Sequence, residues 1–263
     1  MKRFGIIGDP VAHSMSPRLF TAAYHGLYPY DLIEGSDFEA SWQRFLQEYD
    51  GINVTAPFKE NAFAAVDNLS QEAERIGAVN LVVKATDGTT TGYNSDYDGV
   101  RLALQEAGLE ACREALVIGC GGAGKAAAAA VVDLGLSLTL INRDSARAAA
   151  LAKRLQDTAP DGALRVRHLS IDELEDALLR ADLIVYAVPG PLNGFPAEHI
   201  AGLLNDGKQR ILLEANYRDP IFTTLPPCCR YISGRRWLLY QATEGYARFT
   251  GKAPDADAIL RQV

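Results

Sequence analysis

An α/β protein of two domains with mostly parallel sheets is the fold class that this sequence predicts, on three observations. Short apolar runs alternate with amphipathic, helix-length segments from one end of the chain to the other, which is the rhythm of βαβ units. The chain has 263 residues, more than one hydrophobic core usually accommodates, although a single large barrel also fits that length. Near the middle, a glycine-rich turn stands between an apolar strand and a helix, where a second α/β unit would begin.

Taken in order, strands are expected at RFGIIG, YDLIEG, GINVT and AVNLVVK, and then at ALVIG, LTLIN, DLIVYAV and RILLEAN. Each is a brief apolar, often β-branched run interrupted by turn-forming residues. Between them, SPRLFTAAYHGL reads as a helix in which Ser16 caps and Pro17 suits the first turn. DFEASWQRFLQEY spaces its apolar residues at helical intervals, and KAAAAAVV is simply a good helix former. No repeat at a solenoid period occurs. The helix DYDGVRLALQEAG ends at Gly108 and a new strand follows, so the boundary is expected there, with domains of residues 1–108 and 109–234. The last long helix, GRRWLLYQATEGYARFTGK, comes after the second unit's strands have run out.

The composition is 48% hydrophobic and 22% charged, ordinary for a soluble globular protein and sufficient for real cores. A net charge of −7 argues against nucleic acid or an anionic membrane as partner, because both are gripped by excess Lys and Arg. Cys112, Cys120, Cys228 and Cys229 show neither zinc-ligand spacing nor the density of a secreted disulfide scaffold, which suggests a reducing cytoplasm. The opening MKRFGIIGDPVAHS has too short an apolar stretch for a signal peptide, and no run approaches a span of roughly 18 apolar residues. His13, His25, His168 and His199 lie in no arrangement suited to metal ligation or to activating a nucleophile, so no metal is expected.

In ALVIGCGGAGKAAAAAVVDLG, Gly119, Gly121 and Gly124 have G-x-G-x-x-G spacing, with Gly122 and Ala123 inside the turn, between a strand and a helix. Glycines there permit a tight turn and close approach to a pyrophosphate, while the helix's first amides point at the anion. At the tip of the next strand, an NAD site usually offers a carboxylate to the ribose 2′-hydroxyl. This tip carries Asn142, Arg143 and Asp144, with Arg147 a turn later. Two guanidiniums can clasp a 2′-phosphate, which favours NADP. Asp144 would repel that phosphate unless it points away or pairs with an arginine. The other reading of this tip is an exposed helix start of mixed charge.

Polar groups in the first hundred residues also stand at strand ends. Ser14 and Ser16, two apart in an extended loop, could bind a carboxylate or merely adjoin a helix cap. Asn80 ends GAVN, and Asn94 and Asp96 occupy a glycine-flanked turn that alone would read as turn chemistry. Lys59 follows the strand in GINVTAPFK.

Together these blocks resemble the shikimate dehydrogenase family: GDPVAHSMSP, GINVTAPFK, IGAVN, YNSDYDG, GCGGAG, NRDSAR and LLYQATEGYARFTG occur in its order and at about its separations. The resemblance spans nearly the whole chain, and N-V-T-x-P-x-K and the Asn-x-Asp turn are its most specific parts. It implies reversible NADPH-dependent reduction of 3-dehydroshikimate to shikimate in aromatic amino acid biosynthesis. By motif position, Lys59 and Asp96 would be the catalytic pair, and Ser14, Ser16, Thr55, Asn80 and Gln241 would hold the substrate. Tyr217, in EANYRDP, matches a tyrosine near the substrate carboxylate. The implied fold is an N-terminal α/β substrate domain completed by residues 235–263, an inserted Rossmann-type NADP domain, and a cleft between them.

The chain departs from the family pattern at Phe20 and Thr21, where a His-Asn pair is usual, and at Tyr186, Ala187 and Val188, where Asn-Ala-Thr is usual. Ser95 and Asp144 each replace a threonine. The alternatives are a quinate/shikimate dehydrogenase using NAD, or a nucleotide-sensing module without turnover. Retention of both Lys59 and Asp96 speaks against the second. A small-molecule substrate, a cytoplasmic setting and a monomer or homodimer complete the expectation.

Overall fold

The computed structural model describes residues 1–158 and 164–263, which fall into two compact units, residues 1–99 with 239–263 and residues 100–238. Each is built on a six-stranded sheet. In the first unit, β1 (Phe4–Gly8), β2 (Tyr30–Glu34), β3 (Gly51–Val54), β4 (Asn68–Leu69), β5 (Leu81–Lys84) and β6 (Thr90–Tyr93) lie in the order β2-β1-β3-β5-β6-β4. β1 runs parallel to β2 and β3, whereas β5 is antiparallel to β3 and β6.

The second unit holds β7 (Glu114–Ile118), β8 (Ser137–Ile141), β9 (Val166–Leu169), β10 (Leu183–Tyr186), β11 (Arg210–Glu214) and β12 (Cys229–Ile232), ordered β12-β11-β10-β7-β8-β9. All its pairings are parallel. Its central strands are buried almost throughout because helices cover both faces, so they read as nearly unbroken apolar runs in the sequence. The alanine-rich helix Gly122–Asp133 is buried from Ala126 to Val132. Small side chains let it lie close to the sheet, at the expense of any amphipathic stripe.

The first unit's core joins Ile7, Phe45, Ile52, Val54 and Val82. A separate aromatic cluster binds the C-terminal segment to it. Phe4 stacks on Phe249 at 5.0 Å, and Tyr246 meets Phe20 edge-on at 4.9 Å. The Tyr24 hydroxyl donates to the Tyr246 carbonyl at 2.9 Å. Gly51 permits this docking, since a Cβ there would lie 2.7 Å from the Phe249 ring. Phe20 is fully buried in this cluster, so an apolar ring at that position has a packing reason.

One expectation changes in detail. Ser16 is the first residue of helix Ser16–Ala23 and does not cap it: Met15 holds the cap position without a side-chain bond, and the Ser14 hydroxyl accepts from the Ser16 amide at 3.2 Å. The unit boundary falls within helices Ser95–Ala107 and Gly234–Thr250, because each runs on continuously from one unit into the other. Gly108, at φ +76°, still marks the end of the first of these helices.

The start of helix Ser95–Ala107 is tied to helix Gly234–Thr250 by Arg248, whose Nη1 donates to Asp98 at 2.6 Å while its guanidinium lies 5.3 Å from the centroid of the Tyr93 ring. Asp98 is only 6% exposed. Arg248→Met would leave that carboxylate buried without its counter-ion, and is expected to lower unfolding free energy by about 2–3 kcal/mol. Urea unfolding should show an earlier midpoint at unchanged slope, largely restored by adding Asp98→Asn.

Candidate active site

The first unit assembles its polar cluster at the ends of β1, β3 and β6. After β3 the chain turns, and the turn is tied to β1 by the Thr55 amide donating to the Ile7 carbonyl at 3.0 Å. Gly8 accommodates the approach, for a Cβ there would stand 2.3 Å from Thr55 Cγ2. Lys59 then opens helix Lys59–Ala65, and its carbonyl accepts from the Val79 amide at 3.0 Å. On the other side, Asn94 is fully buried after β6. Its Oδ1 accepts from the Tyr97 amide at 3.2 Å and its Nδ2 donates to the Ala78 carbonyl at 2.9 Å, so it caps the helix on which Asp96 lies in the first turn.

These restraints converge on one contact: the Lys59 ammonium donates directly to the Asp96 carboxylate. The side chains are 18% and 8% exposed, so water screens the attraction between them poorly.

Asn80 lies beside this pair. Its Oδ1 accepts from the Ser95 amide at 2.7 Å and from the Ser95 hydroxyl at 3.2 Å, which turns Nδ2 the other way. That Nδ2 is buried with no partner among the described residues. A stranded donor costs about 1–3 kcal/mol.

Ser14 and Ser16 join the cluster through a chain of side chains. Their hydroxyls are 3.1 Å apart, and Ser16 bonds to the hydroxyl of Tyr30. The Tyr30 hydroxyl donates to Asn53 Oδ1 at 2.7 Å, and Asn53 Nδ2 donates to the Asn80 carbonyl at 3.3 Å. Burial raises the Tyr30 hydroxyl well above the ordinary tyrosine value, which keeps it a donor. Gln241 sits four residues before Gly245, where a Cβ would lie 3.2 Å from the Ser95 hydroxyl oxygen. Residues at i and i+4 share a helix face, which puts Gln241 on the face that carries Gly245.

The second unit's candidate site is made largely of backbone. Gly119 adopts φ +101°, and a Cβ there would lie 2.8 Å from Val188 Cγ1. At Gly124 it would lie 1.9 Å from the Gly119 carbonyl oxygen, so this glycine is what allows the helix against β7. Gly121 has nothing within 4 Å of its Cβ position; here the glycine leaves an open cradle over the first amides of the helix. Beside it lies a cleft of about 530 Å³, lined by Gly119, Asn142, Arg143 and the segment from Val188 to Asn193. It opens at the C-terminal ends of β7, β8 and β10, where the strand order reverses and parallel sheets place their ligands. Glycine turn, open helix start and cleft fit a dinucleotide.

Asn142 acts as a brace: its Oδ1 accepts from the Cys120 amide at 3.1 Å and its Nδ2 donates to the Asp144 carbonyl at 2.9 Å. Asp144 Oδ1 accepts from the Ala146 and Arg147 amides at 3.1 and 3.3 Å, and its Oδ2 lies 3.5 Å from Arg147 Nε. Asp144 is thus paired with an arginine, but at 3.5 Å between two exposed groups, a contact that offsets its charge only in part. Arg143 lines the cleft, exposed.

Tyr186 points into the core, edge-on to Phe222 at 5.1 Å, and donates its hydroxyl to the Gly190 carbonyl at 2.7 Å. It therefore holds the cleft-lining segment from beneath, and burial pushes its hydroxyl up to about 12. Tyr217 belongs to this second unit, with the Arg218 guanidinium 5.7 Å from its ring centroid. Its loop is pinned by Glu214, which is fully buried and accepts from the Ile221 amide at 2.7 Å and the Tyr231 hydroxyl at 2.9 Å. Sequence reasoning passed over Glu214, Asn53 and Tyr30. A polar residue inside or ending an otherwise apolar strand, as in GINVT and RILLE, was the available signal.

Burial pushes the Cys120 thiol up to about 11, away from nucleophilic reactivity. Among the described residues no group of three or more His, Cys, Asp and Glu could hold a metal ion, and no helix is long and apolar enough to cross a membrane.

Residues 6–82 match the shikimate dehydrogenase substrate binding domain, and residues 101–214 match the shikimate / quinate 5-dehydrogenase domain. The shikimate dehydrogenase (NADP(+)) of Haloarcula marismortui is 35% identical over 98% of this chain and 97% of its own. Among solved structures, the shikimate 5-dehydrogenase of Thermus thermophilus in complex with NADP(H) and shikimate superposes with a TM-score of 0.81 at 30% identity, covering 100% of this chain and 98% of that one. The quinate dehydrogenase of Corynebacterium glutamicum in complex with NAD gives 0.86 at 27% identity, over 99% and 98%. With domains, sequence and fold all matched along nearly its whole length, the chain belongs to the shikimate dehydrogenase family.

Proposed function

We propose that this protein is an NADP-dependent shikimate dehydrogenase that reversibly reduces 3-dehydroshikimate to shikimate in the biosynthesis of aromatic amino acids. The observation that carries this reading is the direct contact of the Lys59 ammonium with the Asp96 carboxylate, beside an Asn80 amide that lacks a partner among the described residues. A protein that only sensed the nucleotide would gain nothing from a proton-transfer pair.

In this reading the Ser14 and Ser16 hydroxyls take the substrate carboxylate, with a further contact from Tyr217, and Thr55, Asn80 and Gln241 bind the ring hydroxyls. When bound, NADPH supplies the hydride. As negative charge builds on the ketone oxygen, Lys59 Nζ stabilises it and delivers a proton; in the reverse direction Lys59 takes the proton from the hydroxyl. Asp96 orients the ammonium and shares in proton exchange. The amides of Gly121, Gly122 and Ala123 hold the pyrophosphate, with Gly119 and Gly124 giving it room, and Arg143 and Arg147 face the 2′-phosphate over the Asn142 brace. Residues 1–108 with 235–263 form the substrate half, and residues 109–234 the cofactor half. The enzyme works in the cytoplasm as a monomer or homodimer, with neither nucleic acid nor membrane as partner.

Mixing protein, NADP and shikimate should raise absorbance in the reduced-nicotinamide band; nucleotide binding without that rise would overturn the enzymatic reading. Lys59→Ala should lower turnover by roughly 10²- to 10⁴-fold while shikimate affinity changes little, as expected when a transition-state proton donor is lost. Unaltered turnover would remove Lys59 from the mechanism. For Arg143→Ala, steady-state kinetics should show KM rising more for NADP than for NAD, since only NADP has a phosphate to lose; equal rises would mean that Arg143 does not read it.

A further inference from the structure

We propose that Asp144 is a specificity-determining residue of the nucleotide cleft: its carboxylate, fixed at the lip and paired with Arg147, weakens this chain's preference for NADP over NAD. The inference rests on the reading of that cleft as the NADP site.

The carboxylate is held in place by its surroundings. Oδ1 accepts from two successive amides at the start of helix Ser145–Thr158, at 3.1 and 3.3 Å, and the residue's own carbonyl is held by Asn142 Nδ2 at 2.9 Å. Swinging the side chain away from the lip would break both capping bonds.

Two consequences bear on a 2′-phosphate. The first amides of that helix, which would otherwise attract an anion, already serve an internal carboxylate. Arg147 is also partly spent, with its Nε 3.5 Å from Asp144 Oδ2, whereas Arg143 makes no side-chain bond among the described residues. A phosphate entering the lip therefore meets one uncommitted guanidinium and one fixed like charge. A ribose 2′-hydroxyl carries no charge to be repelled and can donate to a carboxylate, the interaction by which NAD sites usually recognise it. The two lip arginines favour NADP, and Asp144 opposes them.

Both groups at the lip are largely exposed, 71% for Arg147 and 56% for Asp144, so solvent screens the effect. Removing the charge should tighten NADP binding by about 3- to 10-fold, the scale of one screened charge contact. The test is calorimetric titration of the whole protein with NADP⁺ and with NAD⁺, in the wild type, Asp144→Ser and Asp144→Asn. Both substitutions keep an oxygen that caps the helix. The expected result is a lower Kd for NADP⁺ in both variants, with the Kd for NAD⁺ unchanged or raised. An unchanged ratio of the two constants, in a wild type that binds NADP⁺, would overturn the role of Asp144 alone. A wild type that binds neither nucleotide would overturn the reading of the cleft, and this inference with it.

Discussion

The first unit's site depends on the ion pair between Lys59 and Asp96, and that pair depends on everything that positions its two backbones. Taking an ammonium and a carboxylate largely out of water costs several kcal/mol per ion, roughly, and only close, well-oriented contact offsets it. The partners are 37 residues apart in the chain, so local structure cannot bring them together. The bond from Val79 to the Lys59 carbonyl and the cap that Asn94 provides set the two helix starts where the side chains meet. The same electrostatics that make the pair costly to bury make each charge act strongly on whatever lies beside it.

Around the pair, the polar cluster is organised by hydrogen bonds that leave one donor over. Asn80 commits its side-chain oxygen to Ser95 and its carbonyl to Val54 and Asn53, and its Nδ2 is left without a partner among the described residues. The chain from Asn53 through Tyr30 to Ser16 links the strand ends to the serine loop. Such a network is stable when every member is satisfied; here a ligand would complete it.

The second unit solves a different problem with different means. A pyrophosphate is bound by backbone amides and by space, so the informative residues are those whose side chains are missing. Gly119 and Gly124 remove atoms that would collide, and Gly121 keeps an approach open. The cleft-lining segment is held from the core by Tyr186 on Gly190, and the loop after β11 by Glu214 on Ile221. Their bonds exclude water and are correspondingly strong.

Much was legible in the order of residues. The eight apolar runs all became strands; inside the sheets, burial on both faces demands continuous apolar sequence, whereas β2 is an edge strand in which only Ile33 is buried. The glycine spacing was readable for the same kind of reason: it encodes a local turn, whose geometry depends on a few adjacent residues. Three strands were not legible; β4 has two residues, and β9 and β12 carry Arg or His among their few apolar positions. What only tertiary structure decided was partnership: that Lys59 meets Asp96, that Asp144 turns to Arg147 and its helix amides, that Ser14 serves the amide of Ser16, and that Phe20 fills an aromatic cluster with Tyr246 and Phe249. A sequence specifies which groups are present and their local conformational preferences, whereas the energy of a charge or a ring depends on what is packed against it, and that is settled by the fold as a whole.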